Sequence, residues 1–259
     1  MRLTNVLASA QMTAKDIFRN RFALVLLFTI PGLFFVLIWL TTGDNTVAFK
    51  LPSVSADELI EVGARDQSLV FMGVASVGLI TAFLAMSLIQ KNSEVNRRLV
   101  LCGFRSSELL TGKLAILFLV TVIISIYVAA LLTLFFSPRH FTWLVIGFIA
   151  SGFVHTCYGL LVGGAVKREL EGVLLIVLLV NIDAGWLQNP VFYAGAHNQA
   201  LIRLLPAYSP SQSSIIAAFT DHSISSPIGA SIVYGSSMLV IALTVYFWTM
   251  KVNKNYGRV

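Results

Sequence analysis

The sequence predicts an all-α, polytopic membrane protein with six transmembrane helices. Hydrophobic residues make up 57% of the 259-residue chain and charged residues only 12%, and the mean hydropathy is +0.83. A soluble domain of this size needs more charged side chains to cover its surface. The chain also contains six long apolar runs, and a helix of about 20 apolar residues crosses the hydrocarbon core of a bilayer.

The six predicted spans are apolar runs separated by polar or charged residues. Pro31 predicts a kink in the first run, and Asn181 and Asp183 interrupt the fifth, which is shorter than the others. Because the number of spans is even, both termini are expected on the same side of the membrane. The runs are 22–41, 68–89, 114–136, 141–166, 173–187 and 228–250.

The distribution of basic residues predicts the orientation. Cytoplasmic segments carry an excess of Lys and Arg. Of the 18 basic residues, only Lys50, Arg65, Arg139 and Arg203 fall on the side of the first, third and fifth connections. The basic side, with both termini, is therefore expected to be cytoplasmic. The net charge of +6 is explained by this topology, so we expect no nucleic-acid partner.

The N-terminal residues 1–21 predict an amphipathic helix before the first span. Its apolar residues recur at helical spacing, and polar residues occupy the opposite side. Such a helix is expected to lie in the membrane interface. It either anchors the first span or receives force from a cytoplasmic partner. The apolar positions are Leu3, Val6, Leu7, Ala10, Ala14, Ile17 and Phe18.

The second connection, residues 90–113, is a cationic island between two apolar runs. Gly103 is expected to end one short helix, and Ser106 is expected to cap the next by accepting a backbone N–H. Glu108 then lies in the first turn, where the helix dipole favours an acidic side chain. The connection is therefore predicted as two short helical pieces with a corner between them.

Two outer connections carry further predictions. In the first, Ser55 and Glu58 form a capping-box pattern that predicts a short helix through about Val62. Residues 188–227, after the fifth span, are too apolar for a solvated loop, yet Pro190 and Pro206 prevent one continuous span. We expect one or two re-entrant helices here, covered by protein or lining a cavity. An interfacial loop with an aromatic belt is the alternative.

Polar groups inside spans are costly and therefore of interest. His155 lies near the middle of the fourth span and Asp183 near the outer end of the fifth. They could form a proton relay, or His155 could simply bond a neighbouring helix while Asp183 is hydrated. Small residues can bring helices together, either between protomers or within one chain. The candidates are Gly159, Gly163, Gly229, Ser231 and Gly235.

The connection 90–113 resembles the coupling loop of type-2 ATP-binding-cassette (ABC-2) exporter permeases. In that family an acid and an arginine precede a glycine, a polar corner follows, and leucines and Gly-Lys lead into the third span. The basic pair here lacks the repeated acids usual in the family. The matching residues are Glu94, Arg97, Arg98, Gly103, Ser106, Glu108, Leu109, Leu110, Gly112 and Lys113. The N-terminal helix, the spans and the broken outer segment also match, so the likeness covers residues 1–259 as one permease domain.

The resemblance implies a transport subunit without its own ATPase site. No phosphate-binding loop is expected, because Gly112-Lys113 is followed by Leu114 and Ser107 stands where such a loop needs glycine. Two copies of a separate ABC ATPase would bind ATP and Mg, and this chain would bind no cofactor or metal. The loop would dock on that ATPase through the matching residues Glu94, Arg97, Arg98, Gly103, Ser106 and Glu108, with two permeases, identical or homologous, side by side in lipid.

The expected activity is export of an amphipathic or lipophilic solute, such as a drug, antibiotic, peptide, natural product or lipid. One alternative is an ion- or proton-coupled secondary transporter, against which the scarcity of carboxylates inside the spans counts. A membrane-embedded enzyme is a weaker alternative, since the sequence offers no paired His/Asp/Glu or Ser/His cluster for catalysis.

Overall fold

The protein is mostly helical. The structure, a computed structural model, describes residues 2–19, 21–51, 59–91, 98–100 and 103–256. The elements in chain order are α1 (Leu3–Arg19), α2 (Arg21–Thr41), β1 (Thr46–Lys50), β2 (Leu59–Gly63), α3 (Ala64–Lys91), α4 (Ser106–Leu132), α5 (Phe141–Ala165), α6 (Glu169–Ile182), α7 (Pro190–Gly195), α8 (Gln199–Arg203), α9 (Tyr208–Phe219) and α10 (Ser225–Tyr256).

Five helices in the described part of the chain are long and apolar enough to cross a membrane. They are α3, α4, α5, α10, and α6 together with the π-helical turn Asp183–Leu187 that continues it. Helix α2 is the remaining apolar helix, and within it the stretch Leu27–Thr41 is the shorter apolar segment. It runs through Pro31 without ending. Five spans are thus supported by length and composition, and α2 is the candidate for the sixth.

Helices α3 and α5 form the centre of the bundle. About 72% of the apolar window of α3 and 67% of that of α5 are buried inside the protein, against 33% for α4, 28% for α6 and 17% for α10. The outer helices therefore turn much of their apolar surface away from the protein. In a bilayer that surface faces lipid, which does not penalise exposed Leu, Val or Ile.

Glycines let α3 and α5 approach closely. A Cβ atom at Gly159 would overlap the backbone carbonyl of Ala82, and one at Gly163 would lie 3.0 Å from the Cα of Met86. In α10, a Cβ atom at Gly235 would overlap the Phe153 ring of α5. These three glycines therefore pack helices within one chain, which was the alternative to a contact between protomers.

A two-stranded hairpin covers one end of the core, where a helix through Val62 was predicted. Strands β1 and β2 pair antiparallel, and Phe49 is only 1% exposed. Val47, Ile60 and Val62 pack against the same cluster of apolar side chains. Alternating residues of this kind suit a strand with one buried face, so the prediction of a helix is wrong from residue 59 onward. Ser55 and Glu58 lie outside the described residues.

The segment after α6 folds into three short helices, α7, α8 and α9, as expected for a broken apolar segment. Helix α9 is enclosed by α3, α5 and α10, and all residues from Pro210 to Ala218 are buried. The hydroxyls of Ser213 and Ser214 donate to the carbonyl of Pro210, so these buried groups are paired inside the helix. We call α7–α9 the outer segment; within it α9 is covered by protein, whereas α7 and α8 expose large apolar side chains such as Phe192 and Leu201.

Candidate functional site: a joint of three helices at the basic end

The loop of residues 90–113 turns at Gly103. This glycine has φ +98, a conformation that side chains rarely adopt, so the predicted break falls at the expected residue. Residues 98–100 are helical before the turn. Glu94 and Arg97 lie outside the described residues.

Helix α4 begins directly after this turn, earlier than the predicted span. Arg105, and not Ser106, is the N-cap residue, so the prediction of Ser106 as the cap is wrong. The second predicted helical piece is the first two turns of the long helix α4. Residues 106–113 of the loop and the third apolar helix are therefore one continuous helical rod.

Glu108 is buried at the start of this rod. Only 1% of the residue is exposed, and its carboxylate accepts hydrogen bonds from the backbone N–H of Arg2 at 2.7 Å, the Asn5 amide at 2.8 Å and the Arg105 N–H at 3.3 Å. The first N–H groups of a helix have no partner within it, and a negative charge there is favourable. Glu108 thus caps the N-termini of both α1 and α4.

The next turns of α1 and α4 touch almost backbone to backbone. A Cβ atom at Gly112 would lie 2.7 Å from both the Cβ of Ser9 and the carbonyl oxygen of Val6. The Ser9 hydroxyl donates to the carbonyl of Leu109 at 2.8 Å. Small residues on both helices permit this approach, as they do between helices in membranes.

The contact uses the polar side of α1, since Ser9 and Thr13 are its buried residues. Several of its apolar side chains point away from the protein, with Leu3 77%, Leu7 54% and Phe18 68% exposed, whereas Ile17 packs against the core. The predicted amphipathic helix is present, and its free surface carries these apolar side chains beside exposed polar ones such as Gln11 and Lys15. That arrangement suits a helix at a membrane surface, because the exposed apolar side chains can enter lipid.

Lys113 joins a third helix to the contact. It is only 5% exposed, and its ammonium group donates to the carbonyl oxygen of Leu88 at 3.3 Å. Leu88 lies in the last turn of α3, where carbonyls lack partners within the helix and a cation is favourable. Asp16 of α1 also interacts electrostatically with Lys113. We call this contact of α1, α3 and α4 the three-helix joint; its residues are Arg2, Asn5, Ser9, Leu88, Glu108, Gly112 and Lys113.

Three of the seven joint residues, Glu108, Gly112 and Lys113, were predicted from the sequence. Arg2, Asn5 and Ser9 were not singled out, because nothing in a local pattern shows that they meet a loop about 100 positions away. The small residues Ser9 and Gly112 were the available signal. Of the predicted coupling residues, Arg98 and Gly103 are exposed, Ser106 is partly buried and Glu108 faces inward.

Exposed residues around the turn form a surface that a partner could reach. We call this surface the coupling face and define it by Arg98, Gly103, Arg105 and Ser107, all of which are exposed. It carries positive charge and lies immediately outside the three-helix joint. A force applied to this face would act directly on α4.

His155 and Asp183 lie together inside the bundle. His155 is 1% exposed, its Nδ1 is 2.8 Å from the Ser151 carbonyl, and its Nε2 has no hydrogen-bond partner among the described residues. Its ring fits because α3 has a glycine there, since a Cβ atom at Gly78 would lie 2.9 Å from it. His155 and Asp183 interact electrostatically, so the structure brings these two predicted residues near each other.

Asp183 also ties the outer segment to α6. Its carboxylate accepts from the Gln188 amide and from the backbone N–H of Ala207, each at 2.9 Å, and Ala207 is the N-cap residue of α9. The outer segment also has a polar contact of its own: the Arg203 Nε donates to the Tyr193 hydroxyl at 2.8 Å. This hydrogen bond raises the pKa of the Arg203 guanidinium. Burial raises the pKa of the Tyr208 hydroxyl.

Within the described ranges, no group of three His, Cys, Asp or Glu side chains has the geometry to hold a metal ion. A shallow depression of about 480 Å³ lies on the outer segment, lined by Trp186, Asn189, Val191, Phe192, Gly195 and Ala196. It is open, and its walls are mostly apolar.

The fold and the joint define a multi-pass helical membrane protein whose basic end presents an exposed turn at Gly103. Residues 45–250 match the family model described as ABC-2 family transporter protein, and the chain belongs to that family. No curated protein matches the chain. The predicted family is therefore confirmed: the chain is a membrane transport component, and this family implies association with an ABC ATPase subunit.

Proposed function

We propose that the chain is the permease subunit of an ATP-driven exporter. It moves an amphipathic or lipophilic solute out of the cytoplasm or the inner leaflet. A separate ABC ATPase binds ATP and Mg and supplies the energy. Two ATPase subunits act on two permeases, arranged as a homodimer or as a pair of homologues, in the cell membrane with all termini cytoplasmic.

The observation that carries this proposal is the exposed coupling face on the three-helix joint. Arg98, Gly103 and Arg105 are exposed, and α4 begins directly after the turn at Gly103. Glu94 and Arg97 precede that turn in the sequence and are proposed to extend the same face. Membership of the ABC-2 family supports an ATPase as the partner.

Transport requires two arrangements of the helices whose balance ATP changes. When the ATPase domains close on ATP, they move the coupling face. Helix α4 moves with it, and the joint carries the movement to α1 and α3. Because α3 is buried at the centre of the bundle, its tilt is expected to reach the outer segment α7–α9, which closes the outer end of the pathway.

The solute class follows from the surfaces available. The spans offer Phe, Leu, Val and Ile and few charges, and the outer segment adds the paired rings of Trp186 and Phe192, whose centroids are 5.1 Å apart. Such surfaces bind apolar solutes and do not attract small hydrophilic ones.

Purification in lipid nanodiscs tests the proposal. The chain is expressed with the ATPase encoded beside it, isolated through a tag on the ATPase, and its mass is measured. A complex of two permeases and two ATPases that transports only with ATP is expected. A chain that purifies alone and transports from an ion gradient without ATP would refute the proposal.

A proton-coupled transporter is the second candidate, favoured by one observation. His155 and Asp183 are a buried, interacting pair, and His155 Nε2 lacks a hydrogen bond among the described residues. Groups of this kind often mark proton pathways in membrane proteins. If they carry protons, Asp183→Asn abolishes transport driven by a pH gradient. If ATP is the energy source, the pH gradient drives no transport in the unaltered protein.

A further inference from the structure

Among the predicted coupling residues that the structure describes, Glu108 is the one that faces inward. It is 1% exposed, whereas Arg98 and Arg105 on the same turn are exposed. A docking partner cannot reach a carboxylate that is covered and already accepts three hydrogen bonds. Its part in coupling, if it has one, must pass through other residues of this chain.

The three donors to Glu108 come from two separate segments. Arg105 belongs to the start of α4, while Arg2 and Asn5 belong to the start of α1. One carboxylate therefore holds two helix N-termini together. Hydrogen bonds to a charged acceptor are stronger than those between neutral groups, and these three are partly buried.

The close contact of Ser9 with Gly112 continues this junction for a further turn of each helix. Two attachments along the axis, one at Glu108 and one at Gly112, prevent α1 from pivoting on α4. The apolar side of α1 remains free toward the membrane, with Leu7 and Phe18 exposed.

From these contacts we infer that Glu108 is a positioning residue that locks the amphipathic helix α1 to the coupling end of α4. The inference rests on the proposed function, in which the ATPase moves the coupling face. Helix α1 then moves together with α4 as one rigid body. The exposed apolar side chains of α1 move along the membrane interface at the same time. In the absence of the lock, the coupling face moves while α1 stays behind, and less of the movement reaches the outer segment.

A distance measurement in the full chain tests the lock without any ATPase. Spin labels are placed at Met12→Cys on the exposed side of α1 and at Ala115→Cys on the exposed side of α4, with Cys102→Ser and Cys157→Ala as background. A single narrow distance distribution is expected. Glu108→Gln keeps the size of the side chain but puts an NH₂ group among N–H donors, so the distribution is expected to broaden.

Matched variants distinguish the loss of this lock from a general loss of structure. Asn5→Ala removes one donor of the lock, and Gln11→Ala removes an exposed amide elsewhere on α1. Glu171→Gln neutralises an exposed carboxylate of α6. Asn5→Ala is expected to broaden the distribution, and both control variants are expected to leave it narrow. If Glu108→Gln does not fold, Asn5→Ala decides alone, and an unchanged distribution then overturns the inference.

A second measurement uses the permease bound to its ATPase in nanodiscs. The labelling rate of Leu201→Cys by a water-soluble maleimide is compared before and after trapping with ATP and vanadate. Glu108→Gln is expected to keep the ATPase bound while reducing the ATP-dependent change about tenfold, because charge-assisted hydrogen bonds are lost. Adding Asn5→Ala is expected to cause no further loss, since both variants break the same lock.

Two results would overturn the inference. One is an unbroadened distance distribution in Glu108→Gln. The other is an additive loss in the double variant, which would mean that Glu108 acts on the ATPase independently of α1. An unaltered complex that shows no response to ATP trapping would instead refute the proposed function, while the distance measurement still decides whether Glu108 holds α1.

Discussion

The ammonium group of Lys113 in α4 donates to the carbonyl oxygen of Leu88, in the last turn of α3, across 3.3 Å. The preceding turn of α4 carries Glu108, which accepts N–H groups at the start of α1. An acid and a base five positions apart on one helix therefore satisfy opposite ends of two other helices. Each charge has the sign that the end it meets favours.

Lys113→Met is expected to destabilise the protein. The aliphatic length is kept, but the Leu88 carbonyl is left unpaired in a buried place, which costs about 1–3 kcal/mol. Thermal unfolding of the purified chain, followed by intrinsic fluorescence, should show a lower Tm. Lys167→Met alters an exposed lysine at the same end and should leave Tm unchanged. Equal shifts in both variants would contradict a specific role for Lys113.

Gly159→Ala is expected to disturb the packing of α5 on α3. The added methyl group overlaps the backbone of Ala82, which cannot rotate away as a flexible side chain could. Overpacking of this kind costs about 1–3 kcal/mol. Gly229→Ala is the matched control, because the space around Gly229 is open within the chain. It should be neutral, or stabilising by up to about 1 kcal/mol, because alanine favours helix. Size-exclusion profiles after graded heating distinguish the two variants.

Charge reversal at Arg97 and Arg98 together is expected to uncouple ATP hydrolysis from transport. Single screened ion pairs contribute about 0–1 kcal/mol, so both residues are changed at once and a roughly fivefold or greater loss is expected. Solute-stimulated ATP hydrolysis and transport are measured in reconstituted vesicles, and the amount of chain in the membrane is checked. Reversal of Lys167 and Arg168 gives the same charge change outside the loop. Normal transport by the Arg97/Arg98 variant would contradict a coupling role and would mean that the charges of the loop only determine the membrane topology.

The outer segment is expected to label with a helical period and to loosen when Asp183 is neutralised. Leu201 and Leu204 are 61% and 69% exposed, whereas Ile202 is 6% exposed, so cysteines at the first two positions should react from outside and one at the third should not. Asp183→Asn leaves one acceptor for the Gln188 and Ala207 donors and should raise labelling at Ile202. Uniform, rapid labelling in the unaltered protein would rule out an ordered gate.

Local sequence patterns correctly predicted those elements that are determined by neighbouring residues. Long apolar runs gave the helices, and Gly103 fell at the residue with positive φ. The start of α4 was misplaced because the predicted span was limited to apolar residues, while Glu108 and Lys113 are buried in the helix by partners from elsewhere in the chain. The hairpin was missed because the Ser55–Glu58 capping pattern masked the alternation of Val47 and Phe49 with Ile60 and Val62.

The candidate site was harder to predict, because its contacts join residues that are distant in the sequence. A glycine such as Gly159 indicates a close approach, but only the structure shows that the other surface is Ala82 of the same chain. Glu108 was predicted at a helix N-terminus, and it is there; that it serves a second N-terminus depends on Arg2, 106 positions earlier. No spacing rule connects residues so far apart.

Because α9 is enclosed by other helices, its place in the order of folding in the membrane is determined by theirs. A spanning helix can enter lipid alone, since its own surface is apolar and its backbone is satisfied. Helix α9 carries Ser211, Gln212, Ser213 and Ser214, all buried between α3, α5 and α10. It can reach its place only once those helices have come together, and α10 is the last of them to be synthesised. The end of the protein that holds α9 is therefore completed late in biogenesis, after the end with the three-helix joint, whose three helices all precede residue 133.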